Sequence, residues 1–219
     1  RKLIPFTAGL QREFNSAISP WIVDLFLRQP SLLCGPAYWS VSPLSRERNS
    51  VASAVAVGFA DDSDYLGGTR ARLVASVLAA PAALRHVSDL EAFRYVTLLC
   101  LLREPDLRLI SVWHPSFLGL LLDALPSVWP ELLADLRDGT CRYSSTLPPP
   151  VLRALRLHPC PSRAAELASA DPLSPISVWP SLGLVSCWGD AHAASALDAL
   201  RARLPDHTVQ TKGLLATEA

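Results

Sequence analysis

The sequence contains no methionine, and lysine is almost as scarce. Lysine occurs only at Lys2 and Lys212, and all other basic residues are arginine. The 20 basic and 20 acidic side chains are intermixed and cancel, so the formal net charge at pH 7 is zero. A chain without a basic patch lacks the electrostatic signature of proteins that bind nucleic acid or anionic membrane surfaces. We therefore expect neither nucleic acid nor membrane as a partner.

Cysteine pairs with metal-binding spacing are absent as well. The five cysteines are odd in number and widely spaced, and the chain contains no Cys-x-x-Cys motif. They are Cys34, Cys100, Cys141, Cys160 and Cys187. Such a pattern favours reduced, buried thiols in a cytoplasmic protein over a disulfide framework or a zinc site.

The chain also lacks a clean hydrophobic run of the length that a membrane span needs. Its most apolar stretch, residues 107–125, is interrupted by Arg108, His114, Pro115 and Asp123. A spanning helix needs about 20 predominantly apolar residues, so this stretch is expected to be core. With 219 residues, 50% of them hydrophobic, the chain is long enough for one sizeable core.

The pattern along the chain alternates short apolar segments with helical segments. The predicted helices are residues 7–29 with an interruption at Pro20, 69–79, 88–102, 115–124, 126–137, 147–157, 163–169 and 191–204. The predicted extended segments are residues 37–42, 107–112 and 183–187, while 51–59 is ambiguous. Ser88 and Glu91 have capping-box spacing, and Asp138-Gly139 ends a helix. The alternation predicts an α/β fold with a largely parallel sheet flanked by helices.

Two of these apolar segments end in turns that could bind a ligand. Trp113-His114-Pro115-Ser116 follows the segment 107–112, and Trp188-Gly189-Asp190 follows the segment 183–187. Parallel sheets bind ligands where loops leave the carboxyl ends of the strands. Asp190 and His192 could suggest a metal, but without an evident third ligand a surface histidine is expected. The chain has no Gly-x-Ser-x-Gly motif, so a hydrolase nucleophile elbow is not supported.

The final segment, residues 212–219, contains the pair Thr217-Glu218. A threonine hydroxyl beside a glutamate carboxylate could contact a phosphate and its Mg²⁺. The alternative is an exposed polar pair near a chain end.

Seven sequence blocks, in order, resemble the auxin-responsive promoter (Gretchen-Hagen-three) family, and its bacterial branch more than its plant branch. They are residues 1–7 (RKLIPFT), 35–43 (GPAYWSVSP), 64–68 (DYLGG), 111–118 (SVWHPSFL), 129–136 (WPELLADL), 186–190 (SCWGD) and 212–219 (KGLLATEA). Family members are acyl acid amido synthetases of the adenylate-forming superfamily. The resemblance implies that an acid is activated by ATP with Mg²⁺ and joined to an amino acid amine.

The resemblance also implies roles for particular residues. Glu218 would bind Mg²⁺, and Thr217 would donate a hydrogen bond to the α-phosphate. Trp188, Gly189 and Asp190 would surround the adenine, although an ordinary turn with Asp190 as helix cap is compatible with the same residues.

Three further residues match the segment that lines the family's acyl-acid pocket. They are Trp113, His114 and Ser116. His114 could contact the substrate carboxylate or simply cap the helix that follows. Lys2 stands where a phosphate-binding loop would end, and a lysine there can pair with phosphate charge.

The resemblance covers only part of an adenylate-forming enzyme. We expect residues 1–219 to be an incomplete N-terminal adenylate-forming domain, with the phosphate loop upstream and a C-terminal domain downstream. Such a fragment is expected to be inactive alone. Two alternatives stay open: transfer of the adenylated acid to a thiol such as coenzyme A, and a non-catalytic interaction domain that keeps the fold.

Overall fold

The structure is a computed structural model that describes residues 8–41, 77–155 and 157–212. Its strands are β1 Ala37–Trp39, β2 Leu109–Ser111, β3 Leu184–Trp188 and β4 Thr208–Lys212. Its helices are α1 Ala8–Arg28, α2 Leu90–Leu102, α3 Pro115–Ala124, α4 Trp129–Asp138, α5 Pro149–Leu155, α6 Pro161–Ala168, α7 Pro175–Val178 and α8 Ala194–Arg203. Short 3₁₀ turns occupy Pro30–Cys34, Ala82–His86, Leu125–Val128 and Ala191–Ala193.

The four strands form one parallel sheet in the order β1-β2-β3-β4. Ser111 of β2 pairs with Trp39 of β1 and with Ser186 of β3, and Trp188 of β3 pairs with Lys212 of β4. Because all strands run the same way, their carboxyl ends meet at one edge of the sheet. The predicted α/β class with a parallel sheet flanked by helices is confirmed.

The two faces of the sheet have different partners because side chains alternate along each strand. Tyr38, Ile110 and Val185 point into the main core, which they share with leucines from α2, α3 and α4. On the other face, Leu109 and Leu184 pack with Leu25 and Leu32. The strands are therefore covered on both sides, as parallel strands usually are.

Helix α2 lies inside the main core and is buried along most of its length. Its N-cap is Asp89, whose Oδ1 accepts a hydrogen bond from the Ala92 N–H at 2.7 Å. The predicted capping box at Ser88 is therefore wrong by one residue, because the helix begins at Leu90. Serine and aspartate are both favoured N-cap residues, so the sequence alone does not show which of the two caps the helix.

Prolines stand at two further differences from the predicted helices. Pro20 stands inside α1, which runs through it without ending, so the predicted interruption is not a helix boundary. Helix α4 begins at Trp129, later than predicted, after the 3₁₀ turn Leu125–Val128. Pro130 stands in the first turn of α4, where a missing backbone N–H costs no hydrogen bond. At the other end of α4, Gly139 has φ 69°, which confirms the predicted glycine stop.

One helical stretch in the described residues, Pro115–Asp138, is long and apolar enough to cross a membrane by length and hydropathy. In the fold it is divided into α3, a 3₁₀ turn and α4. Leu118, Leu121 and Leu132 from this stretch are buried in the main core. The apolar residues thus belong to helices that cover the sheet, as the interrupted pattern predicts.

Candidate functional site

The carboxyl edge of the sheet collects three tryptophans, two histidines and a lysine. We call this group the strand-end cluster, and it consists of Trp39, Trp113, His114, Trp188, His192 and Lys212. Trp39, Trp188 and Lys212 are the last residues of three of the strands, and the other three residues lie in the turns after β2 and β3. The two turns that the sequence predicts as ligand-binding are therefore neighbours in the fold.

Trp113 and Trp188 bring these two turns into direct contact. Their ring centroids are 5.4 Å apart, with the ring planes inclined by 51°. The backbone N–H of Trp188 also donates a hydrogen bond to the backbone carbonyl oxygen of Trp113 at 2.8 Å. Aromatic pairs in this tilted arrangement are stabilising beyond their buried area. The contact fixes the turn after β2 relative to the turn after β3.

His114 caps α3, as one of its two sequence interpretations predicts. Its Nδ1 accepts from the Ser116 backbone N–H at 3.3 Å and lies 2.7 Å from the Ser116 Oγ. Since Nδ1 accepts from a backbone donor, the proton of the neutral ring is on Nε2. The ring stacks on His192, with centroids 5.7 Å apart and planes inclined by 15°. A contact between His114 and a substrate carboxylate stays a prediction.

The turn after β3 is tight for a packing reason. A Cβ on Gly189 would lie 2.3 Å from the Thr211 Cγ2 and 3.1 Å from the Leu197 Cδ2, so a larger residue would displace β4 or α8. Asp190 holds the N-cap position of the next 3₁₀ turn, but its side chain makes no cap hydrogen bond. Ala191 then adopts φ 51°, a left-handed conformation that costs a non-glycine residue about 1–2 kcal/mol. The approach of Gly189 to an adenine stays a prediction.

Lys212 reaches from the end of β4 across the end of β3 to β2. Its Nζ donates to the Ser111 Oγ at 2.7 Å and to the Val112 carbonyl oxygen at 3.1 Å. The same ammonium lies 5.2 Å from the ring centroids of both Trp39 and Trp113. Sequence reasoning identified neither Lys212 nor Trp39 as a site residue. The signal that could have found Lys212 is the scarcity of lysine, which occurs only at Lys2 and Lys212.

Two buried serines behind the strand-end cluster differ in their hydrogen bonding. Ser111 and Ser186 are both fully buried and in register. The Ser111 hydroxyl accepts from Lys212, whereas the Ser186 Oγ has no hydrogen-bond partner in the described part of the chain. Cys187 points to the opposite face, and burial raises the pKa of its thiol although Lys212 acts in the other direction. Cys187 is fully buried, so a substrate cannot reach its thiol and it is not a candidate nucleophile.

Three predicted site residues lie outside the described residues. They are Lys2, Thr217 and Glu218. Strand β4 ends at Lys212, and Thr217 and Glu218 follow it by a few residues. Across residues 8–41, 77–155 and 157–212, His, Cys, Asp and Glu form no group of three that could hold a metal ion. Asp190 and His192 thus gain no third ligand there.

A groove of about 250 Å³ lies elsewhere, between the carboxyl end of α3 and the loop before α7. It is lined mainly by Leu122, Pro126, Pro172, Leu173 and Pro175. The charged groups at its border, Asp123 and Arg203, already pair with each other at 2.5 Å. The strand-end cluster brings aromatic rings, two histidines and a lysine together at the carboxyl edge of the sheet. It is therefore the better candidate for a functional site.

Comparison with known proteins decides the family. The sequence profile of the GH3 family N-terminal domain matches residues 1–209. The chain belongs to the GH3 family. The resemblance that the sequence motifs indicate is therefore confirmed over nearly the whole chain, up to a point within β4. No curated protein matches the chain.

Two solved structures share the fold of this GH3 chain. One is described as "GH3.15 acyl acid amido synthetase"; it has a TM-score of 0.75 and 19% identity, with 99% of this chain and 40% of that chain covered. The other, "AtGH3.15 acyl acid amido synthetase in complex with 2,4-DB", has a TM-score of 0.75 and 18% identity, with coverages of 97% and 38%. At these identities the likeness shows the fold. The chain spans about two fifths of the length of these structures.

Proposed function

We propose that the intact protein is an ATP- and Mg²⁺-dependent acyl acid amido synthetase, and that residues 1–219 form part of its large N-terminal domain. Membership of the GH3 family supports the reaction class. The observation that carries the proposal is the contact between the turns after β2 and β3, at Trp113 and Trp188. The resemblance assigns one turn to the acid and the other to the nucleotide, and the fold places them side by side.

The proposed reaction has two steps. A carboxylate oxygen of the acid attacks the α-phosphorus of ATP, which gives an acyl-adenylate and releases pyrophosphate. The nitrogen of an amino acid amine then attacks the acyl carbon, loses a proton, and displaces AMP. Both steps require the reacting groups to be aligned and water to be excluded. The substrates are thus a small carboxylic acid and an amino acid. The five free cysteines favour the cytoplasm as the compartment of the reaction.

The residues of the cluster suit the positioning part of this chemistry. Trp113, His114 and Ser116 would line the acid site, with Ser116 held in place by the His114 cap. Trp188, Gly189 and Asp190 would lie against the nucleotide. The half-buried indole rings of Trp113 and Trp188 present apolar surface at this edge, and a bound substrate that covered it would strengthen electrostatic interactions there by displacing water.

The Mg²⁺ part of the proposal depends on Glu218, with Thr217 and Lys2 as phosphate contacts. Carboxylate oxygen is the ligand that Mg²⁺ prefers, and the ion usually keeps several waters beside one or two carboxylates and substrate phosphates. A site built from one carboxylate is therefore compatible with the lack of a three-ligand group in the described residues. When bound, the ion would neutralise phosphate charge as pyrophosphate leaves.

The decisive experiment supplies the full-length protein with ATP, Mg²⁺, a panel of carboxylic acids, and either amino acids or coenzyme A. We expect acid-dependent exchange of pyrophosphate into ATP, and formation of an amide, seen by mass spectrometry, only when an amino acid is present. Product formation that requires the thiol instead would refute the amide assignment. A protein that exchanges no pyrophosphate with any acid would favour the non-catalytic interaction domain.

A further inference from the structure

We infer that Lys212 is a positioning residue, which fastens the end of β4 to the end of β2 and the turn that follows it. Neither the sequence motifs nor the family comparison assigns it a role, since the family match ends within β4. Its effect on catalysis rests on the proposed function. Its effect on the fold does not.

The geometry of the lysine is that of a bridge between non-adjacent strands. Strand β3 separates β4 from β2 in the sheet, so no backbone ladder joins those two strands directly. The Lys212 Nζ nevertheless bonds the Ser111 Oγ of β2 and the Val112 carbonyl oxygen just beyond it. It thereby ties the end of β4, which among the described strands pairs only with β3, to the centre of the sheet.

The surroundings hold the ammonium in one place. Two indole rings, of Trp39 and Trp113, lie 5.2 Å from the charge, and a cation near the face of tryptophan is attracted by the ring quadrupole. Hydrogen bonds from an ionised donor are roughly twice as strong as those between neutral groups. A long, flexible side chain that is fixed by two rings and two acceptors loses conformational entropy. A lysine that extended into solvent would not lose it. The arrangement indicates that the placement of Lys212 matters.

The consequence concerns the residues after Lys212. In the sequence, Thr217 and Glu218 follow Lys212 by a few residues. The residues to which Lys212 donates hydrogen bonds, Ser111 and Val112, are followed directly by Trp113 and His114. One side chain therefore joins the end of the strand that precedes the segment assigned to the phosphate with the turn assigned to the acid. A misplacement of about 1 Å between reacting groups can reduce a rate about 100-fold.

The test compares Lys212→Met with Lys212→Arg in the full-length protein. Methionine has a similar length but neither charge nor donors, whereas arginine keeps both. We expect Lys212→Met to lower the kcat of pyrophosphate exchange about 10- to 100-fold while the KM for ATP changes less than about threefold. Lys212→Arg should recover most of the loss. Arg137→Met, which removes an exposed cation on α4, is the matched control and should leave kcat unchanged.

Hydrogen exchange supplies a readout that needs no activity. Amides of residues 208–212 should exchange at least about tenfold faster in Lys212→Met than in the wild type, and not in Lys212→Arg or Arg137→Met. If Lys212→Met does not fold, Ser111→Ala, which removes one acceptor, should show the same acceleration to a smaller degree. Unchanged exchange and unchanged kcat would overturn the role of Lys212. A wild type inactive on every acid, with accelerated exchange in Lys212→Met, would refute the proposed function and leave the bridge standing.

Discussion

Two serines occupy paired positions on β2 and β3 and differ only in what their hydroxyl groups bond. Ser111 and Ser186 are both fully buried, and the register places them opposite each other. The Ser111 Oγ accepts from the Lys212 ammonium, whereas the Ser186 Oγ has no partner among the described residues. A hydrogen bond to a charged group contributes about 1.5–3 kcal/mol to stability, while an unpaired buried hydroxyl is itself a cost.

The same substitution should therefore have opposite effects at the two positions. We expect Ser111→Ala to lower the free energy of unfolding by about 1–3 kcal/mol, because it removes the acceptor. Ser186→Ala should leave that free energy unchanged or raise it by up to about 1 kcal/mol, because a desolvation cost disappears. Urea unfolding followed by circular dichroism measures both. Equal losses in the two variants would show that Ser186 has a partner.

The strand-end cluster shows how far single residues could be read from the sequence. Trp113, His114 and Trp188 were predicted because each follows an apolar segment that ends in a recognisable turn. The sequence does not indicate Trp39 and Lys212 as site residues, since their importance depends on which strands are neighbours, and periodicity carries no such information. The structure shows Gly189 packed against Thr211, and its contact with a ligand stays a prediction.

At the scale of elements, helix prediction succeeded where chain signals are local. Helix α3 has the predicted bounds, since Pro115 favours a helix start and apolar spacing continues from it. Strand β4 was not recognised, because only Val209 in it is apolar and its pairing with β3 is long-range. The alternation of strands and helices predicts that the strands are parallel. Their order in the sheet and their register required coordinates.

Helix α2 offers a direct test of an element boundary. Ser88 and Asp89 are adjacent and both exposed, yet only Asp89 accepts from the Ala92 N–H. We expect Asp89→Ala to destabilise the protein by about 1 kcal/mol, within a range of about 0.5–2, because it loses the cap and a negative charge near the helix N-terminus. Ser88→Ala, the matched control, should change stability by less than about 0.5 kcal/mol. The reverse ranking in thermal or urea unfolding would restore the predicted capping box.

At the scale of the whole molecule, the cysteines report on whether the main core opens as one unit. Cys100, Cys141 and Cys187 come from distant parts of the chain, yet all belong to the same buried cluster. Burial raises the pKa of all three thiols, that of Cys100 to about 12. Cys34 lies outside this cluster and is exposed. Because the thiolate is the reactive form, the buried thiols are protected both by exclusion and by protonation.

Thiol labelling at pH 8 should therefore separate Cys34 from the core cysteines. We expect a disulfide reagent to modify Cys34 at once, while Cys100, Cys141 and Cys187 react only through opening of the core and share one rate constant. That shared rate should rise with urea, and with pH above about 8.5, since the unfolded thiols ionise there while the folded ones stay protonated. Peptide mapping by mass spectrometry assigns each site. If Cys187 reacted faster than Cys100 and Cys141, β3 would open separately, and the strand-end cluster would be a local unit instead of an extension of the core.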